Sequence, residues 1–170
     1  MTDNQASQQQ ALAFYHLALQ NLARYANEPH GGGGEGPSGG IRDSTGRAQP
    51  ATATSRVLVV DDERLIADSL AQILRARGHG VRVAYGGAEA ISAAEQECPD
   101  IVLTDVLMPR VNGVQAAIAI RDMCPDTRII LFSGQAVTTD LLREARAAGH
   151  DFEIWGKPLH PRDLLRKLAE

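Results

Sequence analysis

The chain has 170 residues, 44% of them hydrophobic, which is enough for one domain of ordinary size and an extension. Its formal net charge of -4 at pH 7 argues against nucleic acid and anionic membranes as partners, because both attract proteins with a basic excess. No apolar run approaches the ~20 residues of a membrane span, and the N-terminus lacks the pattern of a secretory signal, so we expect a cytoplasmic protein.

The first predicted element is an isolated amphipathic helix within residues 1–27. Residues 8–26 contain neither Gly nor Pro, and Leu12, Tyr15 and Leu19 recur at the spacing of one helix face. Because a single helix of this length is marginal in water, that face should pack against a second copy of the chain, the domain itself or another protein. Of these three alternatives, a homodimer through the helix is favoured.

A flexible linker is predicted for residues 28–55. The composition changes there to Gly, Ser, Thr, Pro and Ala, with four consecutive glycines at 31–34 and no apolar periodicity. Such a segment tethers its two ends without fixing their relative position. The remaining residues, 56–170, are predicted to form one domain.

Within this domain, five short apolar segments alternate with five helical segments. The predicted strands lie at 56–63, 81–85, 100–105, 127–132 and 151–158. The first helix is expected to bury one face and to end at Gly78, and the third to begin at Asn112 as its cap. The buried face of the first helix is expected to contain Leu65, Ile66, Leu70, Ile73 and Leu74. This alternation predicts an α/β fold with a parallel sheet, right-handed crossovers and helices on both faces.

In a sheet of this kind, the carboxyl ends of all the strands lie on one edge, where ligands bind. That edge would collect the polar residues Asp61, Asp62, Asp105, Ser133 and Lys157, which end four of the five strands. Adjacent carboxylates repel one another, so the acids call for a divalent cation or for solvent. Taken alone, the acids after the first strand fit a solvated helix N-terminus equally well.

Cys98 and Cys124 each begin a Cys-Pro-Asp triplet directly before an apolar strand. We therefore expect both at helix-to-strand turns, at the edge of the sheet opposite the polar residues. Their spacing is typical neither of a zinc site nor of a disulfide framework. Two packed, reduced thiols are expected, as is usual in the cytoplasm.

Four motifs together resemble the response-regulator receiver domain of two-component signalling, over roughly residues 55 to 170. They are the acidic pair in Val60-Asp61-Asp62-Glu63, Asp105 followed by Met108-Pro109 and Gly113, the hydroxyl of Ser133-Gly134, and Lys157-Pro158. The resemblance implies a flavodoxin-like, doubly wound sheet of five parallel strands in the order 2-1-3-4-5.

The resemblance also implies a set of roles for these residues. Asp105 would accept a phosphoryl group from a phosphohistidine of a sensor histidine kinase or a histidine phosphotransfer protein. Asp61, Asp62 and Asp105 would hold Mg²⁺ or Mn²⁺, since these ions prefer oxygen ligands, and Ser133 and Lys157 would contact the phosphoryl group. Catalysis of this kind needs positioning and charge neutralisation more than covalent help.

Two pairs of residues determine what we expect of signalling. Ile154 stands where the family usually has an aromatic switch residue, with Trp155 beside it, so switching would depend on Ser133. The apolar neighbours Val106 and Leu107 should limit access of water to an acyl phosphate and prolong its lifetime.

No output segment is expected after the fifth helix. The domain would then signal by binding another protein or by passing the phosphoryl group onward. The alternative is a receiver-like interaction module that is never phosphorylated and acts through its N-terminal helix. Two other classes of protein are excluded by the residues after the first strand. A haloacid-dehalogenase-type hydrolase would need an Asp-x-Asp motif there, and a flavin-binding domain would need a Ser/Thr/Gly-rich loop. The segment Val60-Asp61-Asp62 supplies neither.

Overall fold

The computed structural model describes residues 54–134, 138–157 and 160–169. The predicted N-terminal helix lies outside the described residues, as does the predicted linker except for its last two positions. Strands and helices alternate along the described chain. They are β1 (Arg56–Val60), α1 (Arg64–Arg75), β2 (Gly80–Ala84), α2 (Gly87–Gln96), β3 (Ile101–Asp105), α3 (Gly113–Met123), β4 (Arg128–Ser133), α4 (Thr138–Ala147), β5 (Glu153–Gly156) and α5 (Pro161–Ala169).

The five strands form one parallel sheet in the order β2-β1-β3-β4-β5. In the register of its centre, Val59 lies beside Leu103, and Leu103 lies beside Ile130. The chain moves outward from β1 to β2 and then returns past β1 to β3, so the direction of winding reverses between β1 and β3. The predicted doubly wound α/β fold and its strand order are confirmed.

The sheet separates two hydrophobic clusters, because successive strand residues point to opposite faces. Leu58, Val102 and Leu131 belong to the cluster covered by α2, α3 and α4. Val59 and Leu103 belong to the other cluster, which α1 and α5 cover. With both faces covered, the central strands carry apolar residues on both faces, as their sequences indicate.

Helix α1 buries most of its predicted face, but Leu65 is exposed. At about 100° per residue, the buried positions Ile66, Leu70 and Leu74 lie within one sector of the helix, whereas Leu65 falls almost opposite its centre. The prediction that Leu65 packs in the core is therefore wrong. It considered only that the side chain is apolar and not the direction in which it points from the helix axis.

Local signals at the helix ends agree with the sequence. Gly78 has a φ of 87°, a left-handed conformation that glycine adopts without steric cost, and it ends the turn after α1. The Asn112 side chain accepts a hydrogen bond from the N–H of Gln115, whose side chain accepts one from the Asn112 N–H. This capping box starts α3 just after the loop that follows β3.

Cys98 and Cys124 form a disulfide, with Cα atoms 5.8 Å apart. Both lie at helix-to-strand turns, as predicted, but the expectation of two reduced thiols is wrong for this structure. The turns precede β3 and β4, which are adjacent strands in register, so two cysteines separated by 26 positions in sequence become neighbours. Sequence spacing alone could not indicate this proximity.

Candidate functional site

The carboxyl edge of the sheet brings Asp61 and Asp105 together. Asp105 is the last residue of β3, and Asp61 directly follows β1. In the register of these strands Val60 lies beside Thr104, so the next residue of each strand falls at the same height. The buried strands thus fix two aspartates next to each other, and the aspartates themselves are largely buried.

Lys157 links these two carboxylates. Its Nζ lies 3.2 Å from Oδ2 of Asp61 and 3.1 Å from Oδ1 of Asp105. The side chains are 16%, 2% and 14% exposed for Lys157, Asp61 and Asp105, respectively. Lys157 directly follows β5, and its N–H donates to the carbonyl of Ser133 at 2.8 Å. A positive charge is therefore held between two mostly desolvated carboxylates.

Asp62 completes a group of three acids at this edge. Carboxylate oxygens of Asp61, Asp62 and Asp105 all lie within 4.8 Å of one another. Asp62 is exposed, which leaves the group open on its solvent side. Three carboxylates and solvent form an oxygen-only donor set, which fits a hard divalent cation such as Mg²⁺ and lacks the nitrogen or sulfur ligands typical of zinc.

Burial perturbs the pKa values of this edge. Desolvation is the largest effect on Asp61 and raises its pKa to about 6, against the opposing charge of Lys157. Burial likewise raises the pKa of Asp105, again opposed by Lys157. Burial would lower the pKa of Lys157, but its two carboxylate neighbours outweigh that effect and raise it. One lysine charge is shared between two carboxylate charges, so the edge still favours additional positive charge.

Ser133 ends β4 and lies at the same edge. In the register of β3 and β4, Asp105 is beside Phe132, so Ser133 is one residue further along the neighbouring strand. Its side chain is half-buried, and Gly156 is its partner on β5. The structure therefore brings all five predicted residues to one edge: Asp61, Asp62, Asp105, Ser133 and Lys157.

Backbone groups that the sequence did not indicate hold the acids in place. The Glu63 N–H donates to Oδ1 of Asp61 at 2.9 Å, and the Leu107 N–H donates to the Asp105 carboxylate. A Cβ atom on Gly113 would collide with the main-chain carbonyl of Asp105. The motif included Gly113, but only the fold shows that a missing side chain there lets α3 approach the end of β3.

The two apolar neighbours of Asp105 have different environments. Val106 is fully buried in the core beneath α2 and α3, whereas Leu107 is exposed beside the site. The Leu107 backbone N–H donates to the Asp105 carboxylate, so both residues lie next to this group in the chain and in the fold. The expectation that their apolar side chains limit the access of water stays a prediction.

Ile154, at the position where the family usually has an aromatic residue, and its neighbour Trp155 have different environments. Ile154 is largely exposed, while Trp155 is buried with its ring centroid 5.8 Å from that of Phe132. The indole N–H donates to Glu153 at 2.8 Å, and Nζ of Lys167 lies 5.0 Å from the ring centroid. Trp155 is thus a packing residue of the core.

Comparisons with known proteins identify the family of this domain. The sequence profile of the response regulator receiver domain matches residues 57–169. The probable transcriptional regulatory protein TcrX of Mycobacterium tuberculosis is 33% identical over 124 residues, which are 70% of this chain and 51% of TcrX. The chain spans about half the length of the curated relatives it matches.

Solved structures support the same relationship. A CheY-like receiver domain protein from Methanospirillum hungatei is 31% identical with a TM-score of 0.62, covering 68% of this chain and 91% of that one. The chemotaxis protein CheY4 of Vibrio cholerae is 29% identical with a TM-score of 0.61, covering 68% and 97%. Within the described residues no helix is long and apolar enough to cross a membrane. The chain belongs to the response regulator receiver domain family of two-component systems.

Proposed function

We propose that this receiver domain accepts a phosphoryl group on Asp105 from a phosphohistidine of a sensor histidine kinase or a histidine phosphotransfer protein. One observation carries the proposal: the Asp105 carboxylate lies 3.1 Å from Nζ of Lys157, within a group of three acids at the carboxyl edge of the sheet. Domains of this family act as phosphoacceptor signalling modules that interact with such partners.

The transfer requires one bond to form and one to break. A carboxylate oxygen of Asp105 bonds to phosphorus as the N–P bond of the donor breaks, and that bond's electron pair returns to the imidazole nitrogen. The protein must mainly position the reactants and neutralise the charge on the phosphoryl oxygens. Lys157 already holds its positive charge beside the accepting carboxylate, and the Ser133 hydroxyl would donate a hydrogen bond to a phosphoryl oxygen.

Asp61, Asp62 and Asp105 would hold Mg²⁺, or Mn²⁺, beside the accepting oxygen. When bound, the ion supplies further positive charge for the phosphoryl oxygens. The raised pKa values of Asp61 and Asp105 support this assignment, because they indicate carboxylates that Lys157 neutralises incompletely. A divalent ion would stabilise their ionised forms.

The domain would work in the cytoplasm and would signal through another protein, by binding it or by onward phosphotransfer. It would act as a phosphoacceptor that assists its own phosphorylation and dephosphorylation, rather than as an enzyme with a separate substrate. Because Val106 and Leu107 are apolar neighbours of Asp105, we expect the phosphorylated form to persist beyond seconds. Its decay after removal of acetyl phosphate, compared between wild type and Leu107→Ser, measures the contribution of the exposed neighbour.

The central experiment compares wild type with Asp105→Asn after incubation with acetyl phosphate and Mg²⁺. Intact mass or Phos-tag electrophoresis should show one phosphoryl group on wild type and none on the variant. Asp126→Asn is a matched control, because Asp126 is an exposed aspartate at the opposite edge, and it should be modified like wild type. Equal modification of wild type and Asp105→Asn would contradict the proposal. An unmodified wild type would favour the interaction module that is never phosphorylated.

The proposed homodimer through the N-terminal helix falls on residues 1–27, outside the described part of the chain. Solution mass of the full chain and of a chain without residues 1–30 tests it. We expect a dimer for the first and a monomer for the second, and the same oligomeric state in both would contradict a role for the helix.

A further inference from the structure

The disulfide at the amino edge of the sheet joins two sulfur atoms in different environments. Cys98 lies in the exposed turn before β3. Cys124 caps the end of α3 and is only 3% exposed, as part of the core beneath α2, α3 and α4. A small thiol or disulfide can therefore reach Cys98 from solvent, while Cys124 is accessible mainly to Cys98.

A cavity of about 300 Å³ opens beside Cys98. Its lining includes Cys98, Pro99, the two basic residues Arg56 and Arg82, and the acid Glu97, which is paired with Arg56. Arg56 is paired with acids, whereas the Arg82 guanidinium donates only to neutral oxygens, at 3.0 Å each, in the contacts identified for it. The cavity thus offers space and a positive charge to a small anionic thiol or disulfide that approaches Cys98.

The disulfide also closes a ring around the phosphoacceptor. The two cysteines are separated by 26 positions, and the segment between them contains β3, Asp105, Gly113 and α3. Cross-linking the ends of a segment restricts the open states available to it. The cross-link therefore restricts the unfolded states of the segment that carries Asp105, although it lies at the opposite edge of the sheet.

We propose that Cys98 and Cys124 form a reversible redox modification site that reacts with low-molecular-weight disulfides and thiols, with Cys98 as the entry sulfur. The proposal rests on the proposed function in one respect, since a partner of histidine kinases works in the cytoplasm, where thiols are kept reduced. Disulfides that occur there are usually transient or redox-sensing, and exposed ones are the labile class.

The exchange balances as two successive displacements. The Cys98 thiolate attacks one sulfur of a small disulfide RSSR, forming a mixed disulfide and releasing RS⁻. The Cys124 thiolate then attacks the Cys98 sulfur and releases the second RS⁻. Two electrons pass from the cysteines to RSSR, and the two thiol protons end on the two RS⁻ products. Reduction follows the reverse path, beginning with attack of RS⁻ on Cys98.

A redox titration of the native full chain tests reversibility. The protein is equilibrated in mixtures of reduced and oxidised glutathione, starting from both the oxidised and the reduced form, then quenched and alkylated. Intact mass should show both thiols appearing together, with the same curve from either direction. A disulfide that opens only after denaturation, or a dithiol that fails to close in oxidised glutathione, would overturn the proposal.

Two single variants test the entry sulfur. With Cys98 as the only thiol, Cys124→Ser should take up one glutathione from oxidised glutathione at least about tenfold faster than Cys98→Ser, as expected from exposure. Equal or reversed rates would overturn the role of Cys98. Cys124 is buried, so its variant could fail to fold. Alkylation of reduced wild type, mapped by peptide mass, provides the second measurement and should label Cys98 first.

This readout is independent of phosphorylation. Thiols are counted without acetyl phosphate or a kinase, and Asp105→Asn should titrate like wild type. A failed phosphorylation experiment would leave the redox result intact, and a failed redox titration would leave the assignment of Asp105 intact.

Discussion

The pKa of an aspartate is shifted in opposite directions at the two edges of the sheet. At the amino edge, Asp100 is exposed and accepts a hydrogen bond from Nη2 of Arg56 at 2.7 Å, and this contact lowers its pKa. At the carboxyl edge, Asp61 is buried and its pKa is about 6 in spite of Lys157. Burial therefore decides the sign of the shift.

The opposite shifts have opposite effects on stability. For Asp100 the folded pKa lies below the unfolded value, so its stabilising contact is present above the unfolded pKa and is lost as pH falls through the folded pKa. For Asp61 the folded pKa lies above the unfolded value of about 3.9, so its ionisation destabilises the metal-free protein as pH rises towards about 6. The ionised carboxylate therefore stabilises the fold at the amino edge, whereas at the carboxyl edge it destabilises the metal-free fold and favours binding of a cation.

Of the changes that test this comparison, Lys157→Met should lower the stability most. The substitution keeps the stem but leaves Asp61 and Asp105 without their cation, and breaking a buried pair in this way costs about 3–5 kcal/mol. The folded pKa values of both acids should rise further, so the loss of stability should be greatest near neutral pH and smaller near about pH 5. Urea unfolding of the metal-free protein at the two pH values measures both quantities.

Lys167→Met is the matched control. Lys167 lies over the Trp155 ring rather than between acids, so its loss should cost about 1 kcal/mol or less and should not depend on pH in this range. An equal cost for the two lysine variants, or a Lys157 effect independent of pH, would show that the carboxyl edge holds no uncompensated charge.

Reduction of the disulfide, which lies at the amino edge, should cause the next largest loss of stability. The loop-closure relation for 26 positions gives about 3.5 kcal/mol of stabilisation by the cross-link. Urea unfolding of wild type with and without a reductant measures it, and Cys98→Ser, which has no disulfide, should not respond to reductant. A difference below about 1 kcal/mol would mean that the cross-link contributes little to this edge.

The disulfide also marks what the sequence could and could not predict. The alternation of apolar strands and amphipathic helices was sufficient for the parallel sheet, and the sheet then placed residues at the strand ends, such as Asp105 and Lys157, on one edge. The strand order implied by the family resemblance made β3 and β4 neighbours, and therefore also the turns with Cys98 and Cys124 that precede them. The residues alone gave no distance between the two turns.

The side-chain contacts at the site could not be predicted from the sequence, because they also depend on how elements pack together. That Lys157 lies between Asp61 and Asp105, and that Gly113 contacts the Asp105 carbonyl, depends on conformations set by packing against neighbouring elements. Leu65 differs, because its exposure follows from helical phase and was available from the sequence.

Asp61→Asn should stabilise the metal-free protein. The amide removes a charge whose pKa is raised to about 6 in the folded protein, chiefly by burial, and this corresponds to a gain of about 1–3 kcal/mol near neutral pH. The gain should vanish near pH 4, where Asp61 is protonated in the folded state. Mg²⁺ should reverse the order of stability, because only wild type keeps the complete acidic group. Urea unfolding with and without Mg²⁺ tests this, and a variant less stable than wild type without metal would contradict it.

Gly113→Ala should change stability by an amount similar to Asp61→Asn but in the opposite direction, and it tests whether shape as well as charge distinguishes the carboxyl edge. The added Cβ would collide with the Asp105 carbonyl, so α3 or the end of β3 must move, at a cost of about 1–3 kcal/mol. Because the displaced residue is Asp105, affinity for Mg²⁺ should also fall. Urea unfolding and Mg²⁺ titration of Trp155 fluorescence measure the two effects.

Gly80→Ala is the control from the amino edge. A Cβ on Gly80 meets nothing within 4 Å, so the change should alter stability by no more than about 0.5 kcal/mol and leave Mg²⁺ affinity unchanged. If Gly113→Ala lowered stability without weakening Mg²⁺ binding, the close approach would serve packing alone. If both fell together while Gly80→Ala changed neither, the position of α3 would be part of how the carboxyl edge holds its acids.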